Sequence, residues 1–302
     1  MRAGRGGCKN PSMPHANSPD RRRDRPRYGY YALPVYVLVC VAPLCVGGVL
    51  CWVGSWADLP WARGLGVGLA VYAVVQAVGC WLGVYVLPEG RARRARRVAT
   101  SLRDVSTDTL VDIGAGRGVL TVEFAKVLSP RRVVAVDLWT REARRESPAY
   151  DRSAPVFAHT AERTRYNAEV EGVLDRVRFL TTDATCLGIA SESVDIVTAG
   201  YVLFHLHEGG LRRSDDRRLA ALREWRRVLN PGGRLVVFEL THTGWTNVLA
   251  WTPAGYVASR LFSTRLTADY WAGLIQATDI VVESVDETRG NVVIVARRPL
   301  AL

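Results

Sequence analysis

The stretch VDIGAGRG at residues 111–118 ends an apolar run in an acid, Asp112, and follows it with glycine at every second position: Gly114, Gly116 and Gly118. Two more acids, Asp137 in VVAVD and Asp183 in TTDA, also close apolar runs. Carboxylates at strand ends accept hydrogen bonds from hydroxyl and amino groups and hold cations. A glycine-rich turn beside them lets a ligand lie against the backbone, because glycine has no Cβ and tolerates positive φ. A second set of groups, Tyr201, His205 and His207 in YVLFHLH, can take or give protons near neutral pH, as can Glu239 and His242 farther on.

The glycine spacing excludes two common ligands. A dinucleotide turn reads G-x-G-x-x-G, yet residue 119 is Val119, and no Gly-Lys-Ser/Thr follows to make a phosphate loop. What fits is a ligand without phosphates that presents an ammonium group and a hydroxylated ribose. Asp112 would hold the ammonium directly or through water. S-adenosylmethionine is such a ligand. No metal is expected, since His205 and His207 have no evident third ligand and no cysteine pair has metal-ligand or disulfide spacing.

Short apolar runs that alternate with helical patterns must position these groups. Runs at 109–113, 133–136, 177–180, 194–199 and 235–240 read as strands, with helices expected at 119–128, about 157–170 and from Leu219 to Leu229, the last stopped by Asn230 and Pro231. Leu120, Phe124, Val127 and Leu128 share one face of the 119–128 helix. Such alternation predicts a parallel sheet covered by helices. Two final strands, 280–285 and 291–296, are linked so briefly that they must form an antiparallel hairpin.

In order and spacing these motifs resemble class I S-adenosylmethionine-dependent methyltransferases, and the stretch LREWRRVLNPGGRLVVFE is similar to the subgroup that includes ubiquinone and menaquinone C-methyltransferases. The resemblance covers roughly residues 98–302. It implies an α/β, Rossmann-like fold with a seven-stranded, mostly parallel sheet and helices on both faces. It implies that Asp112, Gly114, Gly116, Gly118, Asp137, Leu138, Asp183, Ala184 and Gly200 line the S-adenosylmethionine site. Asp137 would take the ribose hydroxyls and Asp183 the adenine amino group. Tyr201, His205 and His207 are the candidate catalytic residues, with His205 equally readable as a hydrogen-bonded residue opening a helix. TAGY replaces the Asn/Asp-Pro-Pro-Tyr/Phe of amine methyltransferases, which argues against nucleic-acid amines as acceptors.

The first hundred residues differ in kind. They hold fourteen Arg and Lys against four acids, and so carry ten of the chain's eleven net positive charges. The nearly neutral remainder argues against nucleic-acid binding. Residues 1–27 read as a disordered basic tail. Within 28–97, residues 30–56 and 65–87 run uncharged for 27 and 23 residues, long enough for two transmembrane helices. Basic runs at 21–27 and 91–97 flank the pair, so the positive-inside rule places both termini and the domain from 98 to 302 in the cytoplasm. RARRARR reads as a headgroup anchor or as a stop-transfer signal. The aromatic insert at 241–278 reads as a lid, as a surface resting on the bilayer, or as core for an extra helix.

The expected function is a membrane-anchored methyltransferase with a hydrophobic small-molecule or lipid acceptor. The alternative is a non-catalytic membrane adaptor that uses the same fold to bind partners.

Overall fold

The computed structural model describes residues 40–81, 87–140, 160–206, 215–241, 267–288 and 290–300. The described residues open with two paired helices, α1 (Ala42–Trp56) and α2 (Pro60–Trp81). Proline is suited to the first helical turn, where its missing N–H costs no bond, and it starts α2 five residues before the expected Leu65. The helices cross closely through glycine: a Cβ on Gly47 would lie 2.7 Å from the Gly66 carbonyl oxygen. Their outward side chains are apolar, with Trp52, Trp56 and Trp61 at 71%, 83% and 66% exposure. Pro60–Val78 is long and apolar enough to cross a membrane by length and composition; Ala42–Trp56 is shorter. The expected tail at 1–27 and the start of the first span at 30–39 lie outside the described residues.

The basic run does not flank the second span as a free segment. RARRARR sits within α3 (Leu87–Ser101), so Leu87 opens this helix rather than closing a membrane span, and the boundary expected at residue 98 falls inside it. Ala95 and Ala99 are fully buried in the hydrophobic core beneath the sheet. Small side chains on that face let α3 lie against α4 (Val119–Leu128). Arg96 forks onto Glu123 of α4 with bonds of 2.8 and 3.1 Å, and thereby balances an acid that is 2% exposed.

Seven strands follow: β1 (Thr109–Ile113), β2 (Arg132–Asp137), β3 (Val177–Thr181), β4 (Val194–Gly200), β5 (Leu229–Leu240), β6 (Val281–Thr288) and β7 (Asn291–Arg297). Their order is β3-β2-β1-β4-β5-β7-β6, and β7 alone runs against its neighbours. Leu110–Ile113 of β1 are wholly buried, as befits a central strand covered on both faces. On one face lie α3, α4 and α5 (Ala161–Val170); the other core contains side chains from α6 (Asp216–Val228) and α7 (Ala268–Gln276).

The helix face expected on α4 is displaced. Thr121 to Ala125 are its buried residues, because α3 covers the side that the amphipathic pattern assigned to water, while Leu120, Val127 and Leu128 are only partly buried. Likewise, the Asn-Pro-Gly-Gly turn does not precede β5. Pairing with β4 starts at Leu229 and resumes at Arg234, so residues 230–233 bulge from within the strand.

Candidate functional site

In an open α/β sheet, ligands bind beyond the carboxyl ends of the strands, where the order reverses. Here that point lies between β1 and β4, and the two loops that leave it interlock. A Cβ on Gly114 would stand 2.2 Å from Cγ2 of Val202, and one on Gly118 2.7 Å from Cγ2 of Thr164 on α5. Both glycines also hold positive φ, +64° and +80°. Gly114 and Gly118 are therefore glycine first because their own neighbours leave no room, a cause the sequence does not display.

Asp112 stands behind this turn, 1% exposed. It lies opposite Thr198 in the β1–β4 register, and the Thr198 hydroxyl donates to Oδ1 at 2.8 Å. The Thr121 N–H donates to Oδ2 at 2.8 Å, and the Thr121 hydroxyl donates to the same oxygen. Burial pushes the carboxyl up to about 6 against those bonds. Asp112 thus ties β1, β4 and the start of α4 together and positions the turn.

Asp137 ends β2 and reaches back to the same turn. Its Oδ2 accepts from the Gly116 N–H at 2.8 Å and its Oδ1 from the Leu138 N–H at 2.6 Å. The turn is clamped from α5 as well, by Thr164 donating to the Gly116 carbonyl at 2.6 Å and Asn167 to the Arg117 carbonyl at 2.8 Å. Nothing in the polar pattern of 157–170 signals either residue. Asp183, two residues past β3, accepts from the Thr185 N–H and hydroxyl at 2.8 and 2.6 Å, while Ala184 is held through its carbonyl by Trp225 at 2.9 Å. Gly200 closes β4 with Leu120 3.0 Å from where a Cβ would lie. The expected cofactor residues thus gather along the carboxyl ends of β1 to β4.

Of the candidate catalytic residues, Tyr201 is the most constrained. It adopts φ +59°, rare for a bulky side chain, and its hydroxyl donates to Asn291 at 2.9 Å. The Arg91 guanidinium of α3 stacks 4.7 Å from its ring centroid. His205 lies in a 3₁₀ turn, half-buried, with its ring edge-to-face on Phe204. His207 and His242 lie outside the described residues, as does most of the aromatic insert, 242–266. Glu239 is fully buried: its Oε1 accepts from the Leu203 and Phe204 N–H groups at 2.7 and 3.3 Å, and its Oε2 has no partner among the described residues. Burial pushes its carboxyl up to about 8.

Residues 111–237 match the methyltransferase domain family. The matched segment runs from β1 into β5 and so contains the glycine turn, the three acids Asp112, Asp137 and Asp183, and the stretch between β4 and β5. The chain is 29% identical over 133 residues to the ubiquinone/menaquinone biosynthesis C-methyltransferase of Hahella chejuensis, covering 44% of this chain and 43% of that one. It is 35% identical over 157 residues to the demethylmenaquinone methyltransferase of Mycobacterium marinum, covering 52% of each. The chain therefore spans about half the length of the curated relatives it matches. Among solved structures, the 1,6-didemethyltoxoflavin-N1-methyltransferase of Burkholderia thailandensis, holding S-adenosylhomocysteine, is 19% identical with a TM-score of 0.46, over 69% of this chain and 78% of that one. The methyltransferase-like domain has the Rossmann-like fold and mostly parallel seven-stranded sheet that the sequence implies.

Proposed function

We propose that the chain is a membrane-anchored S-adenosylmethionine-dependent methyltransferase acting on a small hydrophobic acceptor. The observation that carries the cofactor is the row of carboxylates at the ends of β1, β2 and β3 beside a turn with no room for a side chain at Gly114 or Gly118. Such a set of acceptors suits hydroxyls, amines and a cation, and repels phosphate. Asp137 would hold the ribose hydroxyls and Asp183 the adenine amino group. Asp112 would act through the turn, or through the ammonium if that group reaches it. The cofactor supplies an already activated methyl group, so the protein's part is alignment and exclusion of water, which is worth about 7–11 kcal/mol. In this reading Tyr201, beside the crevice at the end of β4, meets the acceptor.

The names of the two relatives support a quinone-like acceptor. The outward apolar faces of α1 and α2, with tryptophans near their connecting turn, support a membrane hairpin, and the flanking arginines support a cytoplasmic domain. A tether raises the effective concentration of the domain towards anything dissolved in the bilayer.

The test is calorimetric titration of S-adenosylmethionine and S-adenosylhomocysteine into the full chain in detergent micelles. Micromolar binding is expected, weakened in Asp137→Ala by about 1–3 kcal/mol, the loss of a charged hydrogen-bond partner. An unchanged dissociation constant removes the ribose assignment. A folded chain that binds neither compound removes the enzyme reading and leaves the adaptor.

A further inference from the structure

The helix that follows the hairpin begins beside the crevice. In its first half, Arg91 stacks on Tyr201, one residue past the end of β4, and Arg94 pairs at 3.6 Å with Asp286 in the last third of β6. After its last residue, the chain passes through the buried Leu102 to Asp108 and Thr109, whose N–H groups donate to Asp195 near the start of β4 at 2.8 and 2.9 Å. Thus α3 runs opposite to β1 and β4, with Leu87 at the carboxyl edge of the sheet and Ser101 towards the amino edge. Only residues 82–86 separate α2 from α3. The six Cα–Cα steps from Trp81 to Leu87 span at most about 22 Å when fully extended. The six steps along β4 put the opposite edge of the sheet about 20 Å farther off, so that edge could lie nearest the end of α2 only through a fully stretched link.

We propose that the carboxyl edge of the sheet faces the bilayer surface, so that a lipophilic acceptor reaches Tyr201 from the headgroup layer without crossing bulk water. The proposal rests on the membrane reading of the hairpin and adds a direction that the reading lacks. Exposed Arg93, in the first half of the same helix, suits an anionic headgroup surface, a basic residue near it being worth on the order of 1 kcal/mol. The short tether favours this geometry: the end of α2 cannot stand farther from the start of α3 than six Cα–Cα steps reach, and α3 starts at the carboxyl edge of the sheet.

The experiment reconstitutes the full chain into phosphatidylcholine/phosphatidylglycerol vesicles that contain headgroup-spin-labelled phosphatidylcholine. A fluorescent amino acid is placed at Thr288, on the carboxyl edge, or at Arg131, on the amino edge; both positions are exposed. A second pair, Thr181 and Asp175, makes the same comparison across β3. Flotation on a density gradient after alkaline wash reports insertion separately. Quenching several-fold stronger at 288 than at 131, and at 181 than at 175, is the expected result. Chains that float but show equal quenching, or stronger quenching at 131 and 175, overturn the orientation and leave the membrane reading intact. Chains that do not float overturn both.

Discussion

Replacing Glu239 by Gln is the sharpest test of the electrostatics beneath the crevice. The wild-type side chain is fully buried, and burial lifts its carboxyl from an ordinary value near 4.5 to about 8, outweighing the Phe204 and Leu203 N–H groups and the Arg218 charge, which favour ionisation. Between those two values the folded chain holds a proton that the unfolded chain has released. Stability is therefore complete below about pH 4.5 and is lost as pH rises towards 8, by about 1.4 kcal/mol per pH unit and roughly 5 kcal/mol in all. Asp112, raised to about 6, acts in the same direction at lower pH, so the range from 6.5 to 9 isolates Glu239. Over that range the wild type should lose about 2 kcal/mol relative to Glu239→Gln, which has no proton to release. At pH 6.5 the variant should be less stable by about 1 kcal/mol, because its amide carries two N–H donors where the protonated acid carries one O–H. The curves should converge or cross as pH rises. Urea unfolding of both chains in dodecyl maltoside, followed by circular dichroism, supplies the measurement. Parallel curves would mean that Glu239 is ionised when folded and that its unpartnered oxygen meets solvent or a cation.

Other outcomes follow from the same contacts. A fragment starting at residue 87 should fold, whereas one starting at 98 should aggregate on gel filtration, because it lacks Ala95 and the Arg96 partner of Glu123. Arg96→Ala in the full chain should cost about 1–3 kcal/mol in a urea melt, since it strands an acid that is 2% exposed. Gly118→Ala should cost about 1–3 kcal/mol through its positive φ and its contact with Thr164, and Thr164→Ser should recover part of that loss by removing the Cγ2 methyl. Asp112→Asn exchanges an acceptor for a donor facing two threonine hydroxyls and one N–H; it should lower both stability and affinity for S-adenosylmethionine, the second measured by calorimetry.

The sheet was legible because a strand covered on both faces must be a continuous apolar run, and Leu110–Ile113 and Val194–Ala199 are such runs. The glycines and the acids at 112, 137 and 183 were legible by spacing. The role of α3 was not. Its buried face is made of alanines at 92, 95 and 99, which carry little hydrophobic signal, while its arginines dominate any reading of the sequence. Arg96 finds its partner 27 residues away and Arg94 finds Asp286 192 residues away, pairings that no local pattern encodes. Asn291 beneath Tyr201 and Thr164 against Gly118 were hidden for the same reason: each is a neighbour created by the packing of the fold.

The strand order carries a consequence for how the chain assembles during synthesis. In β3-β2-β1-β4-β5-β7-β6, the strand made last of the seven is inserted second from the edge. β6 pairs with β7 alone, so after it leaves the ribosome it has no place in the sheet until Asn291–Arg297 follow. Before then, β5 presents an open edge and the α7 side of the core lacks Val292 and Ile294. The hairpin, by contrast, is made first and, on the membrane reading, inserts first. The domain would then complete its sheet while already held at a surface, with its last pairing edge exposed beside the bilayer. A translational pause between residues 281 and 291 would lengthen that exposure, and a chaperone that shields an unpaired strand would act in this interval.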